Sequence, residues 1–277
     1  MSNYPEQKKT FFTLITFTAG INFILWLVLT YKILPAADSW LLLIIRTHEP
    51  LAGLSAQQYL LFALAAFWFV STAFLIYALV CLLNSVIKTV VYLRKLKTYD
   101  YHGIKVVRSE KMLAFTSGIF TINTFLSRRL LRQLPEAELK AVILHEQYHK
   151  QNKDPLSKIF IDFCLNSVLY IPVASVMKKF YLLLCELSAD YYTQQNLQSG
   201  IPLLKALSIV LSAEQAPIAL NNFAYNSRRI EILTGEKKLL THKTILVSVT
   251  FILIMSGFVI LLLNLDLAKL CQIPYYF

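Results

Sequence analysis

The residues of this chain best placed to do chemistry are two histidines one helical turn apart with a glutamate between them: His145-Glu146-Gln147-Tyr148-His149. On a helix the two imidazoles fall about 40° apart, and Glu146 lies within the same arc of about 100°. Two neutral imidazoles so placed can bind one zinc ion, and the glutamate can take the proton from a water activated there. A helix that merely carries two surface histidines is the plain alternative. A catalytic zinc needs a third protein ligand and an open position. The segment Glu186-Leu187-Ser188-Ala189-Asp190 can supply that ligand. Four residues apart on one helical face, Glu186 can complete the set while Asp190 accepts the free ring N–H of a zinc histidine. Reading the two as an ordinary solvated acidic pair is less attractive, because Leu182, Leu183, Leu184 and Leu187 make the surroundings apolar. His48, His102 and His242 stand alone and are assigned no metal. His102 is a candidate for stabilising a tetrahedral intermediate, weighed against an ordinary turn residue.

Several elements must bring these residues together. The histidine helix is predicted to open at Pro135-Glu136-Ala137-Glu138, where proline suits the first helical position and the carboxylates suit the positive end. It is predicted to run to about Gln151 and to stop before Asn152-Lys153-Asp154-Pro155. Residues 97–134 read as strand-rich, with β-prone runs at 104–107 and 115–122 and turn or bulge points at Gly103 and Gly118.

The composition says where such a site resides. Of 277 residues, 56% are apolar and only 16% charged, against about 25% charged in an ordinary soluble domain. The mean hydropathy is +0.54. These values exclude a disordered, collagenous or disulfide-dense chain and point to a mainly α integral membrane protein. Three spans are expected, at about 11–31, 59–83 and 245–265, each meeting the roughly 20 apolar residues a bilayer core requires. The second is expected to continue as a helix that leaves the membrane near Asn84 and Lys88, and the short run 40–45 to lie at the interface. A further apolar run, 159–177, cannot cross. Crossing once would put Glu186 and the histidines on opposite sides of the bilayer, and ligands about 2 Å from one ion cannot be so separated. It is expected to be a non-crossing helix that returns Glu186 to the site.

Charge sets the orientation. From Arg94 to Lys243 there are 21 Lys/Arg against 12 Asp/Glu, a net +9 out of the chain's +11. By the positive-inside rule the N-terminus and this region face the cytoplasm, and the C-terminal tail is external. The expected organisation is a membrane region at 1–93, a cytoplasmic zinc peptidase domain with a small β-sheet at 94–243, and a third span with a short tail at 244–277. The basic residues are scattered and explained by topology, so no nucleic-acid partner is implied. The four cysteines form no CxxC pair, and no disulfide is expected.

Three strings together, Ala114 to Gly118, Leu139 to Leu156 and Glu186 to Asp190, resemble the gluzincin membrane peptidases. The nearest resemblance is to the BlaR/MecR-type antirepressor family, over about residues 85–240. HtpX-like and CAAX-prenyl proteases are related. The HtpX-like enzymes have two spans between the histidine helix and the third ligand, where this chain has one apolar run. The sensor-transducers carry a large external domain after the last span, and here about a dozen residues follow it. In the related proteases Ser227-Arg228-Arg229-Ile230 has a counterpart near the site. The resemblance therefore makes Arg229 a candidate for contacting the transition state or a ligand residue, while a membrane-proximal basic pair is an equal reading.

Together the resemblance and the residues imply a zinc-dependent endopeptidase in the cell membrane, with Glu146 as general base and His145, His149 and Glu186 as ligands. It would act on a cytoplasmic or membrane protein, a transcriptional repressor being one candidate. The resemblance with the strand reading implies an extended substrate along the strand near Phe115 to Phe120, adding its backbone hydrogen bonds to that edge. The competing readings are a signal transducer with rare or self-directed proteolysis, an HtpX-like quality-control protease, and a zinc-free membrane scaffold.

Overall fold

The computed structural model of the chain describes residues 3–33, 56–169 and 174–213, together with residues 229, 231, 232, 250, 254 and 257. Most of it is helical, around one small mixed sheet. Helix α1 spans Tyr4–Ile33 and α2 spans Ala56–Lys95. Both contain stretches long and apolar enough to cross a membrane, Tyr4–Lys32 and Phe62–Lys95. The unbroken course of α2 is the predicted one, continuing past Asn84 and Lys88. The stretch 40–45 lies outside the described residues, as does 245–265 apart from Thr250, Ile254 and Gly257.

Buried positions on α1 recur at Lys8, Phe11, Ile15, Thr18, Asn22, Leu25 and Leu29. Spacings alternating between three and four residues make one continuous stripe, the pattern that seats a helix lengthwise in a packed neighbourhood. Phe17, Phe23, Ile24, Leu27 and Tyr31 are left exposed. Toward its C-terminal end α1 is tied to α2 by two reciprocal hydrogen bonds. Trp26 Nε1 donates to Thr72 Oγ1, and Trp68 Nε1 donates to Thr30 Oγ1, both at 2.8 Å. The pairings 26 with 72 and 30 with 68 make the helices antiparallel, and each indole N–H gains a partner that apolar surroundings would not provide.

The sheet follows α2. Strands β1 (Thr98–Tyr101), β2 (Ile104–Val107), β3 (Ala114–Ser117) and β4 (Asn123–Ser127) stand in the order β1-β2-β4-β3. β2 and β4 are parallel and the outer pairs antiparallel, with Phe115 opposite Phe125. His102 and Gly103, at φ +51° and +77°, form the β1–β2 turn. Two consecutive positive φ values match the twist of the hairpin they close. The predicted strand over 115–122 is broken. It ends at Ser117, and the chain turns from Gly118, the predicted turn or bulge point, into β4. The cause is Gly118, at φ +142°, where a Cβ would lie 2.0 Å from the Thr121 carbonyl oxygen.

Helix α3 (Arg128–Gln133) leads into the histidine helix α4 (Glu136–Gln151). Pro135 stands just outside α4 as its N-cap, so the helix opens at Glu136, one residue later than predicted, and it ends at Gln151 as expected. The apolar run 159–177 is two helices rather than one: α5 (Asp154–Ser167) and the start of α6 (Ala174–Leu197). Ser167 turns its hydroxyl back on the Cys164 carbonyl at 2.8 Å, and the sequence carries Pro172, which has no N–H for a continuous helix. At 14 residues α5 reaches about 21 Å, short of the roughly 30 Å hydrocarbon core. It packs against α1, α2 and α6, so α6 comes back beside α4. Helix α7 (Ile201–Ala213) covers the other side of α4.

The main core joins these parts. Phe11 and Ile15 of α1 are fully buried among Ile161, Cys164 and Leu165 of α5 and Phe180, Tyr181 and Leu184 of α6. The Phe11 and Phe180 rings lie 4.6 Å apart. The N-terminal half of α1 is therefore inside the same core as the site helices, and no packing boundary falls at residue 93. We expect Phe11→Ala to destabilise this core by about 3–5 kcal/mol through the cavity it leaves. The exposed Phe17→Ala should change stability by less than about 0.5 kcal/mol. A melting curve followed by thiol labelling of the buried Cys164 and Cys185 reads the difference; equal melting of the two variants would show α1 to be a separate unit.

Candidate metal centre

Helix α4 has two working faces. Leu139, Val142 and Ile143 pack with Met112, Leu126 and Leu130 beneath the sheet. Ala141, His145, Tyr148 and His149 are buried, and α6 packs along this helix. The turn of helix between the histidines brings His145 Nε2 and His149 Nε2 to 3.1 Å. Glu186, delivered by α6, places Oε2 at 3.4 Å from the first nitrogen and 3.7 Å from the second. Among the described residues this is a group of three donor atoms able to hold one metal ion. Bonds of about 2.0–2.1 Å around a tetrahedral ion would separate such atoms by about 3.4 Å. The triangle observed here has that size, and two imidazoles with a carboxylate are a donor set suited to a first-row divalent metal.

The opposite nitrogen of each ring faces a buried carboxylate. His145 Nδ1 lies 3.0 Å from Asp190 Oδ1, and His149 Nδ1 lies 2.8 Å from Asp154 Oδ2. Such contacts fix ring orientation and the tautomer that leaves Nε2 free to ligate. Every one of these carboxylates, and Glu186 too, meets a cation. Arg229 donates through Nε and Nη2 to the two oxygens of Asp190, and its Nη1 lies 3.5 Å from Glu186 Oε2. Lys8 Nζ reaches Asp154 Oδ1 at 2.5 Å, and Lys158 Nζ reaches Glu186 Oε1 at 3.0 Å.

These partners set the charges. Burial disfavours the Glu186 anion, but Lys158 and His149 outweigh it and hold the carboxyl well below its ordinary value. Burial likewise opposes ionisation of Asp190, where Arg229 and His145 prevail, and of Asp154, where His149 and Lys8 prevail. For His149, burial disfavours the imidazolium, yet the carboxylates of Glu186 and Asp154 raise its pKa to about 9. The cluster thus favours positive charge at its centre.

Glu146 is buried, and its carboxylate is held from the sheet. Thr116 Oγ1, on the outermost strand β3, lies 2.8 Å from Glu146 Oε2 and 2.9 Å from the Glu146 carbonyl oxygen. The strand proposed for substrate and the proposed base are therefore in direct contact. His102 sits instead in the β1–β2 turn, at the far edge of the sheet.

All six residues singled out in the sequence, His145, Glu146, His149, Glu186, Asp190 and Arg229, lie in this region. The sequence reading missed four others. In the sequence Asp154 marks only the end of the histidine helix, although it is buried five residues after His149, behind an exposed turn. Lys8 and Lys158 carry no sign there beyond their charge, and Thr116 lies within a β-prone run. No local pattern marks Lys8 or Thr116. We expect Asp154→Asn to lower metal affinity by roughly 10–100-fold, the usual effect of losing a carboxylate behind a ligating histidine. Competition against a chromophoric chelator measures this, and unchanged affinity would remove Asp154 from the site.

Comparison with known proteins adds one finding. The model of peptidase family M48 matches residues 82–229, from the last turns of α2 to Arg229. No curated protein matches the chain. The matched stretch is more than half of the sequence and contains every residue of the cluster just described except Lys8. On that extent of similarity the protein belongs to peptidase family M48, and it is a metallopeptidase.

Proposed function

We propose that this protein is a membrane-embedded, zinc-dependent endopeptidase acting at the cytoplasmic face, with His145, His149 and Glu186 as ligands and Glu146 as general base. The observation that carries the reading is the convergence of three donor atoms 3.1–3.7 Å apart beside a glutamate anchored to the outermost strand. Bound there, zinc would act as a Lewis acid on the scissile carbonyl and lower the pKa of the attacking water. Glu146 accepts that water's proton and passes it to the leaving amide nitrogen. Thr116, donating its single hydroxyl hydrogen, keeps the Glu146 side chain aimed from one side. Asp190 and Asp154 hold the imidazoles in register, and Arg229 restrains Asp190 and Glu186 together. An extended substrate on the outer edge of β3 would pass directly over Glu146.

The cytoplasmic assignment draws on two features. The N-terminal Lys8 contacts Asp154, which supports one side of the membrane for the N-terminus and the site. The excess of Lys and Arg between residues 94 and 243 supports the cytoplasm as that side. A third span at 245–265 and an external C-terminus complete the proposed topology. The resemblance to antirepressor peptidases supports a regulatory role in which a repressor is cleaved. An HtpX-like role in membrane quality control is the alternative, and the substrates distinguish the two.

Glu146→Gln should keep stoichiometric zinc and lose roughly 10²–10⁴-fold in cleavage of a protein substrate. Full activity in that variant would sink the mechanism. The same variant, used to trap substrates in the membrane, should retain a small set including a transcriptional regulator; a broad set of misfolded membrane proteins would favour quality control. Removing metal with a chelator should abolish cleavage in the wild type and added zinc should restore it, as followed by peptide release. Undiminished cleavage in a preparation shown by elemental analysis to be metal-free would exclude a metal mechanism.

A further inference from the structure

Lysines at a membrane boundary extend their ammonium groups toward water and headgroups. Lys8 does the opposite. It is only 8% exposed, whereas its neighbour Lys9 is exposed. Its ammonium lies 2.5 Å from Asp154 Oδ1 and 5.0 Å from the centre of the Tyr148 ring. Tyr148 and His149 are adjacent on α4, so the lysine approaches the site beside the histidine whose carboxylate it holds. A positive charge that served topology alone would be met by Lys9 without this burial.

The geometry divides the Asp154 carboxylate between two tasks. Oδ1 faces Lys8 and Oδ2 faces His149 Nδ1. Fixing one oxygen sets the plane of the carboxylate, and with it the direction of the hydrogen bond to the ring. The other histidine has an equivalent arrangement, in which Arg229 grips Asp190 behind His145. Lys8 stands at the start of the buried stripe of α1, three residues before Phe11, so the seating of α1 in the core decides where its ammonium arrives. The family match begins at residue 82, well past this helix.

We propose that Lys8 is a positioning residue of the metal centre, acting through Asp154 on His149, and that α1 is thereby a functional part of the peptidase as well as a candidate membrane helix. This rests on the zinc reading above. Full-length protein in detergent micelles, with zinc affinity measured by chelator competition, tests it. Lys8→Met should weaken zinc binding at least tenfold, Lys8→Arg should restore it to within about threefold, and Lys9→Met should leave it unchanged. In an Asp154→Asn background, adding Lys8→Met should change affinity by less than twofold, since the route through Asp154 is already cut. That comparison also serves if Lys8→Met alone fails to fold, because the double variant removes both charges together. Wild-type affinity in Lys8→Met, no rescue by arginine, or a further tenfold loss in the Asp154→Asn background would each overturn the proposal. A wild-type chain that binds no zinc would overturn the zinc reading along with it.

Discussion

Two imidazole nitrogens 3.1 Å apart in a buried place are unfavourable unless something orders both rings, and much of this structure is arranged around that requirement. A helical turn sets the spacing, but it leaves the rings free to rotate. Carboxylates behind each ring remove that freedom. They in turn come from different parts of the chain, Asp154 from the start of α5 and Asp190 from the middle of α6. Both helices must then be clamped against α4, and the short apolar α5 followed by the long α6 provides the return path. One face of the run between the histidines and Glu186 is core, at Ile161, Cys164, Leu165, Val168 and Met177, while Phe160, Leu169 and Val176 are exposed.

Charge balance follows from the same requirement. Asp190 meets Arg229, Asp154 meets Lys8, and Glu186 meets both Lys158 and Arg229. Burying an ion pair costs about as much desolvation as the attraction returns, so such pairs add little net stability. What they contribute here is direction. A carboxylate held by a cation, through one oxygen at Asp154 and through both at Asp190, meets its imidazole at a set angle. Losing one partner would leave a buried charge unpaired, which is costly and explains why the cations are drawn from segments as far apart as residues 8 and 229.

The long apolar helices and the metal site are consequently joined in one packed structure. One face of α1 carries Phe11 and Ile15 into the peptidase core, while Trp26 and Thr30 farther along are bonded to α2. Helix α2 in turn packs against α5. A helix with two kinds of neighbour couples the position of the apolar segment to that of the core. The stripe of buried residues on α1 is continuous across both.

The sequence by itself placed the candidate chemistry: HExxH and ExxxD put two imidazoles and two carboxylates on helical faces through a periodicity that needs no tertiary context. Composition anticipated helices apolar enough to cross a membrane, and sharing one metal required residues 159–177 to bring Glu186 back toward the histidines. The sequence also located the ends of α4 closely, because proline and acidic residues act within one turn. It failed where neighbours decide. Gly118 was legible as a turn or bulge within the β-prone residues 115–122, but only the approach of the Thr121 carbonyl to Gly118 decides that β3 stops at Ser117 and β4 follows as a separate strand. Asp154 and Lys8 became site residues only when α1, α4 and α5 met. A lysine 146 positions from its carboxylate partner has no local signature, since the pairing is created by packing and by the need to compensate a buried charge.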